Sequence, residues 1–177
     1  LGKLHAKELW NLGLEAVEEV LSLINNYNID CSLINGILSA GCFKNDIKEF
    51  ELEINHLNKH YNFNGYKLFN SDEIKKQVNT DIYKSGLLNT KGYHLNPLKL
   101  LIALSKLLIE KKVKIYENTP VLSLKEQNEC IILNCKENKI KAKKVVVACN
   151  GYLDKLIGNQ GNVFMPINNY VVATEPL

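Results

Sequence analysis

Cysteine is the residue of this sequence best suited to redox, nucleophilic and metal-binding chemistry. The five cysteines include no C-x-x-C pair, and none lies at short spacing from a histidine. Because structural zinc sites are built from such short spacings, no metal site is expected. An odd number of cysteines without a secretory signal favours reduced thiols in a cytoplasmic protein. The five are Cys31, Cys42, Cys130, Cys135 and Cys149.

Two short motifs place backbone groups where a ligand could meet them. Residues 118–121 read Asn-Thr-Pro-Val, a rigid turn, and residues 145–148 form an apolar run that ends before Asn150-Gly151. Each motif also has a purely structural interpretation. The first is a common entry to a strand, and the second is a common way to end a buried strand.

The sequence lacks the glycine-rich loop that holds the phosphates of a dinucleotide. No G-x-G-x-x-G motif is present, and no strand–glycine–helix unit is followed by an acidic residue for a ribose. The 22 basic residues are all lysines and are spread along the chain. Nucleic-acid-binding proteins rely on arginine for bidentate contacts, so a nucleic-acid interface is not expected. No apolar run approaches the roughly 18 residues of a transmembrane helix.

Helical periodicity predicts three long helices. The first covers residues 6–26, and the second covers residues 46–60 with Asn45 or Asp46 as its cap. The third begins at Asn96-Pro97, with proline at the first helical position, and ends near residue 111. Ser71 is predicted to cap a further short helix because acidic residues follow it.

Short apolar segments between these helices predict strands and a mixed α and β class. Gly36 is predicted to lie in a turn or bulge of the first strand, and Gly86 and Gly92 to break residues 81–94 into a strand–turn–strand. Residues 145–148 read as a strand covered on both faces. The predicted strands are residues 31–40, 66–69, 113–116, 121–125, 130–135 and 140–143 (the last two a hairpin), 145–148 and 170–174, with a short helix at 153–157.

From His94 to Leu177 the chain resembles the D-amino-acid oxidase superfamily of flavoproteins. Within that superfamily it is similar in character to the gamma-glutamylputrescine oxidoreductases and the D-amino-acid dehydrogenases. The resemblance depends on the order and spacing of several motifs, and the first ninety residues match more loosely. The motifs are residues 92–100 (GYHLNPLKL), 116–121 (YENTPV), 145–152 (VVVACNGY) and 173–177 (ATEPL).

The resemblance implies FAD as cofactor and a chain that spans roughly two fifths of a complete enzyme. Part of an FAD/NAD(P)-binding-type sheet domain would be combined with part of an antiparallel-sheet substrate domain. Residues 1–93 would be mostly substrate domain and connecting helices, residues 94–158 part of the FAD-binding domain, and residues 159–177 a return to the substrate domain. The phosphate-binding loop would precede Leu1.

The same resemblance assigns cofactor contacts. The turn of Thr119 and Pro120 would present the N–H and C=O of Val121 to the edge of the adenine. The carboxyl end of the valine run would pass close to the adenosine or pyrophosphate, since ligands bind at that edge of an open α/β sheet. The residues at this end are Ala148, Cys149, Asn150 and Gly151. Cys149 is also explained as a small packing residue.

Substrate-side residues follow from the resemblance alone, and no catalytic residue is assigned. Tyr83, Tyr93 and His94 are the candidates. A structural histidine beside a helix start, and amphipathic aromatics in a strand, explain the same three residues.

Three functions are compatible with these residues. The first is an FAD-dependent oxidoreductase that transfers a hydride from a carbon bearing nitrogen to N5 of the flavin, giving an imine that water hydrolyses. The second is a non-catalytic remnant, or a split subunit that pairs with a separate chain supplying the phosphate loop. The third is a general α/β interaction module. We expect the isolated chain to be inactive and to bind FAD weakly or not at all.

Overall fold

The computed structural model describes residues 2–153 together with Leu156, Ile167 and Tyr170. Mixed helix and strand with antiparallel sheets confirm the predicted class. The chain divides into two compact units, Leu1–Val113 and Lys114–Leu177. The predicted domain segments 1–93, 94–158 and 159–177 refer to a complete enzyme and stay a prediction.

The first unit contains four helices and one three-stranded antiparallel sheet of order β1-β3-β2. The three long helices predicted from the periodicity of the sequence are confirmed. The helices are α1 (Lys3–Asn26), α2 (Asp46–Tyr61), α3 (Ser71–Val78) and α4 (Pro97–Glu110), and the strands are β1 (Ile34–Gly41), β2 (Tyr66–Phe69) and β3 (Ser85–His94).

Part of the core of this unit lies where α3 packs on β3, and the structure of β3 corrects the predicted strand–turn–strand. Residues 85–94 form one continuous strand at the centre of the sheet. Gly86 does not break it, since it pairs with Ala40 on one side and Phe69 on the other. A Cβ there would lie 2.5 Å from Cδ1 of the fully buried Ile74. The glycine is therefore a contact point for the helix rather than a turn residue.

Gly36 lies in a β-bulge, as predicted. The β1–β3 register shifts between Asn35 and Ile37, and Gly36 has φ +101°. A side chain is strained in that backbone conformation, which explains the glycine.

The predicted cap at Ser71 is wrong by one residue. The Asn70 side chain accepts hydrogen bonds from the backbone N–H groups of Asp72 and Glu73, and the Glu73 carboxylate accepts from the Asn70 N–H. This is a capping box with asparagine in place of serine. At α2, Asn45 is the N-cap residue but its side chain makes no capping hydrogen bond.

The second unit contains an antiparallel meander of order β4-β5-β6. Its strands are β4 (Val121–Gln127), β5 (Cys130–Cys135) and β6 (Lys139–Ala142), and a 3₁₀ turn covers Asn150–Tyr152. The predicted hairpin around residues 136–138 is confirmed.

Two predicted strands are wrong in this structure. Residues 113–116 and 145–148 pair with no strand among the described residues, and a strand exists only with a hydrogen-bonded neighbour. Val146 is 90% exposed, so the run is not covered on both faces. The predicted helix at 153–157 and strand at 170–174 lie almost wholly outside the described residues.

Candidate functional site

An apolar cavity of about 430 Å³ lies in the second unit. The strands β4 and β5 of the meander form one side of the cavity, and residues 145–149, before the 3₁₀ turn, form the other. No charged side chain lines it among the described residues. The cavity therefore suits a flat apolar group and offers nothing to a phosphate. Its lining is Val121, Leu122, Leu124, Leu133, residues 145–149, Tyr152, Leu153 and Leu156.

A β-bulge explains why two consecutive residues of β4 line this cavity. In a regular strand Val121 and Leu122 would point to opposite faces. The register of β4 against β5 shifts between Val121 and Ser123, so Leu122 is the extra residue. Such bulges redirect side chains at the ends of strands.

The same register places the backbone of Val121 on the open edge of β4. Val121 pairs with Cys135, whose N–H is donated to Asn138 O on the opposite side, at 2.9 Å. A residue's N–H and C=O point to the same side of an antiparallel strand. The pair Val121–Cys135 is therefore not hydrogen bonded, and both polar groups of Val121 face away from β5.

The turn before Val121 is held by its own hydrogen bond. Asn118 has φ 52°, and the Thr119 hydroxyl donates to Glu117 O at 2.8 Å. Thr119 therefore stabilises the turn, while Pro120 is exposed. Together they fix the point at which Val121 enters the strand.

At the other wall, Ala148 and Cys149 line the cavity with Val121. The Cys149 carbonyl accepts from the N–H of Tyr152 at 3.0 Å, and Asn150 has φ 50°. Asn150 and Gly151 belong to the 3₁₀ turn that follows, and Asn150 is not among the described residues that line the cavity. The structure thus brings together three of the seven predicted cofactor residues in one cavity.

The three substrate-side candidates are not brought together. Tyr83 precedes the start of β3, whereas Tyr93 and His94 lie at its far end, about 30 Å away at ~3.3 Å per residue. Tyr93 and His94 are neighbours in a strand and face opposite sides. The His94 Nδ1 lies 3.1 Å from Gly36 O, which ties this histidine to the β1 bulge.

The sequence matches the DAO family, described as FAD dependent oxidoreductase, over residues 2–177. The chain belongs to this family. Its resemblance in sequence thus extends over the first ninety residues as well as the later motifs.

Curated relatives agree with this assignment. The chain is 28% identical to the probable oxidoreductase OrdL of Haemophilus influenzae, over 100% of this chain and 42% of the relative. It is 29% identical to the gamma-glutamylputrescine oxidoreductase of Escherichia coli, over 97% of this chain and 40% of the relative. The chain therefore spans about two fifths of the curated relatives that it matches.

Solved structures share the fold. Glycine oxidase from Geobacillus kaustophilus superposes with a TM-score of 0.69 at 15% identity, covering 82% of this chain and 40% of that one. L-proline dehydrogenase from P. horikoshii superposes with a TM-score of 0.65 at 21% identity, covering 86% of this chain and 42% of that one.

FAD is the cofactor of this family, and the residues of the cavity fit one end of it. The apolar walls, together with the N–H and C=O of Val121 that face away from β5, suit an adenine ring, which has both a flat apolar face and a hydrogen-bonding edge. The described residues that line the cavity include no cationic side chain for the pyrophosphate. Among the described residues, no three His, Cys, Asp or Glu side chains are grouped to hold a metal ion, and no helix is apolar enough to cross a membrane.

Sequence motifs missed part of this cavity. The walls formed by Leu122, Leu124 and Leu133 come from the meander, which was predicted only as a sheet. Alternation along the strands signals an apolar face, but the bulge that adds Leu122 has no glycine to mark it.

Proposed function

We propose that this chain is a segment of an FAD-dependent oxidoreductase that acts on the CH–NH group of an amine or amino acid. The observation that supports it best is the apolar cavity, with the backbone N–H and C=O of Val121 at its edge facing away from β5. The family and the names of the relatives support the redox chemistry and the nitrogen-bearing substrate. We also propose that the protein resides in the cytoplasm, where its cysteines stay reduced.

The residues of the chain would bind and orient the cofactor. The N–H and C=O of Val121 would recognise the adenine edge, and Ala148 and Cys149 would contact its face. The turn of Thr119 and Pro120 would hold Val121 in place, and Asn150 and Gly151 would pass near the adenosine or pyrophosphate. When bound, the cofactor would supply the hydride acceptor for oxidation of the CH–NH group to an imine, which water would hydrolyse. Tyr83, Tyr93 and His94 stay proposals for the substrate side.

The cavity holds only the adenine end, so the isolated chain would retain FAD weakly or not at all. A phosphate-binding helix N-terminus supplies much of the affinity for a dinucleotide, and the sequence has no motif for one. Protein purified from cells is therefore expected to be colourless. A yellow preparation whose flavin survives gel filtration would contradict this expectation.

A chimaera tests the function. This chain would replace the matching 40% of the Escherichia coli gamma-glutamylputrescine oxidoreductase, which would supply the remainder. We expect the chimaera to hold flavin, and an amine substrate to bleach the flavin absorbance without oxygen. A folded chimaera that binds no flavin would refute the proposed role of the cavity.

The matched variants are Val121→Pro and Val121→Ala. Proline removes the N–H but leaves the ladder intact, because that N–H faces away from β5. Alanine shortens the side chain and keeps the N–H. Loss of one hydrogen bond predicts a flavin affinity about tenfold lower for Val121→Pro and a smaller change for Val121→Ala.

A split subunit that receives its phosphate loop from a separate chain is the second proposal. Val146, in the apolar segment 145–148, is 90% exposed, which favours a further polypeptide segment that would cover it. Flavin retained only when this chain and the N-terminal part of a relative are co-expressed as two polypeptides would support it.

A further inference from the structure

A second cleft, in the first unit, lies between the start of α1 and the end of α2. It has a volume of about 460 Å³ and is lined by Lys3, Ala6, Lys7, His56, His60 and Tyr61. The DAO-type assignment gives this cleft no role, and it lies in the unit that does not contain the apolar cavity.

Helical spacing brings the basic side chains together. Lys3 and Lys7 are one turn apart on α1, and His56 and His60 are one turn apart on α2. Residues at i and i+4 share a helix face. The two imidazole rings are 4.7 Å apart between centroids, and all four side chains belong to exposed residues.

The cleft is positively charged, and no carboxylate of the described residues lines it. Loss of solvation at the ring lowers the pKa of His60, and the charges of His56, Lys59 and Lys3 lower it further. The carboxylate one turn before His56, Glu53, interacts instead with Tyr66, whose pKa is raised by burial and then by Glu53. The charged and titratable groups facing His60 are thus cationic from both helices.

We propose that this cleft binds a divalent oxyanion, either free phosphate or the phosphate group of a small molecule. Two ammonium groups and two imidazoles supply N–H donors from two sides, and hydrogen bonds between ionised partners are the stronger kind. The volume accommodates the anion with room for a small attached group.

A transition metal is the competing ligand, since two imidazoles at i and i+4 can share one ion. Metal sites use three or four protein ligands, and the described residues provide no third ligand. Lys3 and Lys7 in the same cleft also repel a cation. The observations therefore favour the anion.

Protonation and anion binding are coupled in this cleft. An anion favours the charged imidazole of His60, so anion binding opposes the lowering of the pKa of His60 and tightens as the pH falls. Sulfate is the appropriate probe, because it stays divalent across this range whereas phosphate itself titrates.

Trp10 provides the readout. It is the only tryptophan in the chain, and its ring lies 5.0 Å from that of Tyr61, which lines the cleft. The full chain would be titrated with sodium sulfate at pH 6 and pH 8 at constant ionic strength. Trp10 fluorescence and the imidazole resonances of His56 and His60 would be followed, with His94 as an internal reference.

We expect saturable binding at least about tenfold tighter at pH 6 than at pH 8, with resonances of His56 and His60 shifting and that of His94 unchanged. Lys7→Gln and Lys3→Gln should each weaken sulfate binding about tenfold. Lys48→Gln, which removes the same charge from α2 outside the cleft, is the matched control and should leave it unchanged.

Further titrations distinguish a phosphorylated small molecule from the free oxyanion, and an anion from a metal ion. Glucose 6-phosphate bound more tightly than inorganic phosphate identifies a phosphorylated small molecule, and equal affinities identify the free oxyanion. The proposal is overturned by a linear response to sulfate, or by equal weakening in Lys48→Gln. It is also overturned if nickel ions saturate the fluorescence change and sulfate does not.

Discussion

At the scale of single residues, some glycines lie where two parts of the chain pack too closely for a side chain. A Cβ at Gly41 would lie 2.5 Å from Ser85 Oγ and 2.7 Å from Asp46 Cβ, and Ser85 is fully buried. By contrast, a Cβ at Gly13 would meet nothing within 4 Å. The same substitution should therefore have opposite effects at the two positions.

Gly41→Ala should lower the free energy of unfolding by about 1–3 kcal/mol, because neither neighbour can move without disturbing the core. Gly13→Ala should raise it by roughly 0.5–1 kcal/mol, since alanine is the better helix former inside α1. Urea unfolding followed by circular dichroism measures both. Equal midpoints for the two variants would contradict the close packing at Gly41.

The lowered pKa of His60 predicts that the stability of the fold depends on pH. Its pKa is lowered in the folded chain from the ordinary value of 6.5, so the unfolded chain binds more protons around that pH. Stability should therefore rise with pH through the region from the lowered pKa to 6.5, and be lost as pH falls through it.

His60→Gln should flatten this part of the stability profile, measured in chloride buffers without phosphate or sulfate. His94→Gln is the matched control, since it removes an imidazole outside the cleft. A profile for His60→Gln as steep as that of the unsubstituted chain would show that His60 does not cause it.

At the scale of elements, the cap of α3 distinguishes the sequence prediction from the structure. The structure has Asn70 as the cap and Ser71 as the first helical residue. Asn70→Ala should cost about 1 kcal/mol, because two N–H groups lose their acceptor. Ser71→Ala should change the unfolding midpoint little. A larger loss of stability in Ser71→Ala than in Asn70→Ala would instead support Ser71 as the cap.

The sequence predicted those elements whose evidence is local. Periodicity located α1, α2 and α4, and the turn residues located the β5–β6 hairpin. β3 was predicted as two strands and a turn, because Gly86 is typical of a break until Ile74, distant in sequence, is known to pack on it. The strand predicted at 145–148 depends on a neighbouring strand, and none pairs with it among the described residues.

The candidate site was predictable in the same uneven way. Motif order identified Val121, Ala148 and Cys149, which the structure places around one cavity. Tyr83, Tyr93 and His94 were proposed from the resemblance alone. Nothing in the sequence showed that one continuous strand places Tyr83 before its start and the other two residues at its far end. The basic cleft needed two helices to be paired, which no local pattern indicates.

At the scale of the whole molecule, α4 carries an exposed apolar stripe. Leu98, Leu101 and Ile109 are 62%, 64% and 62% exposed and recur at helical spacing. Large exposed apolar patches bind partners or cause association. We therefore expect the isolated chain to self-associate and to bind the dye ANS.

The double variant Leu98→Gln, Leu101→Gln tests this expectation. It should reduce dye fluorescence and association in analytical ultracentrifugation, with an unchanged urea midpoint, because these side chains are already in water. Leu104→Gln is the matched control in the same helix: it is half-buried, so it should lower the midpoint. If the double variant instead unfolds the chain while Leu104→Gln does not, the stripe packs inside the isolated chain and the exposed face of α4 is not the cause of association.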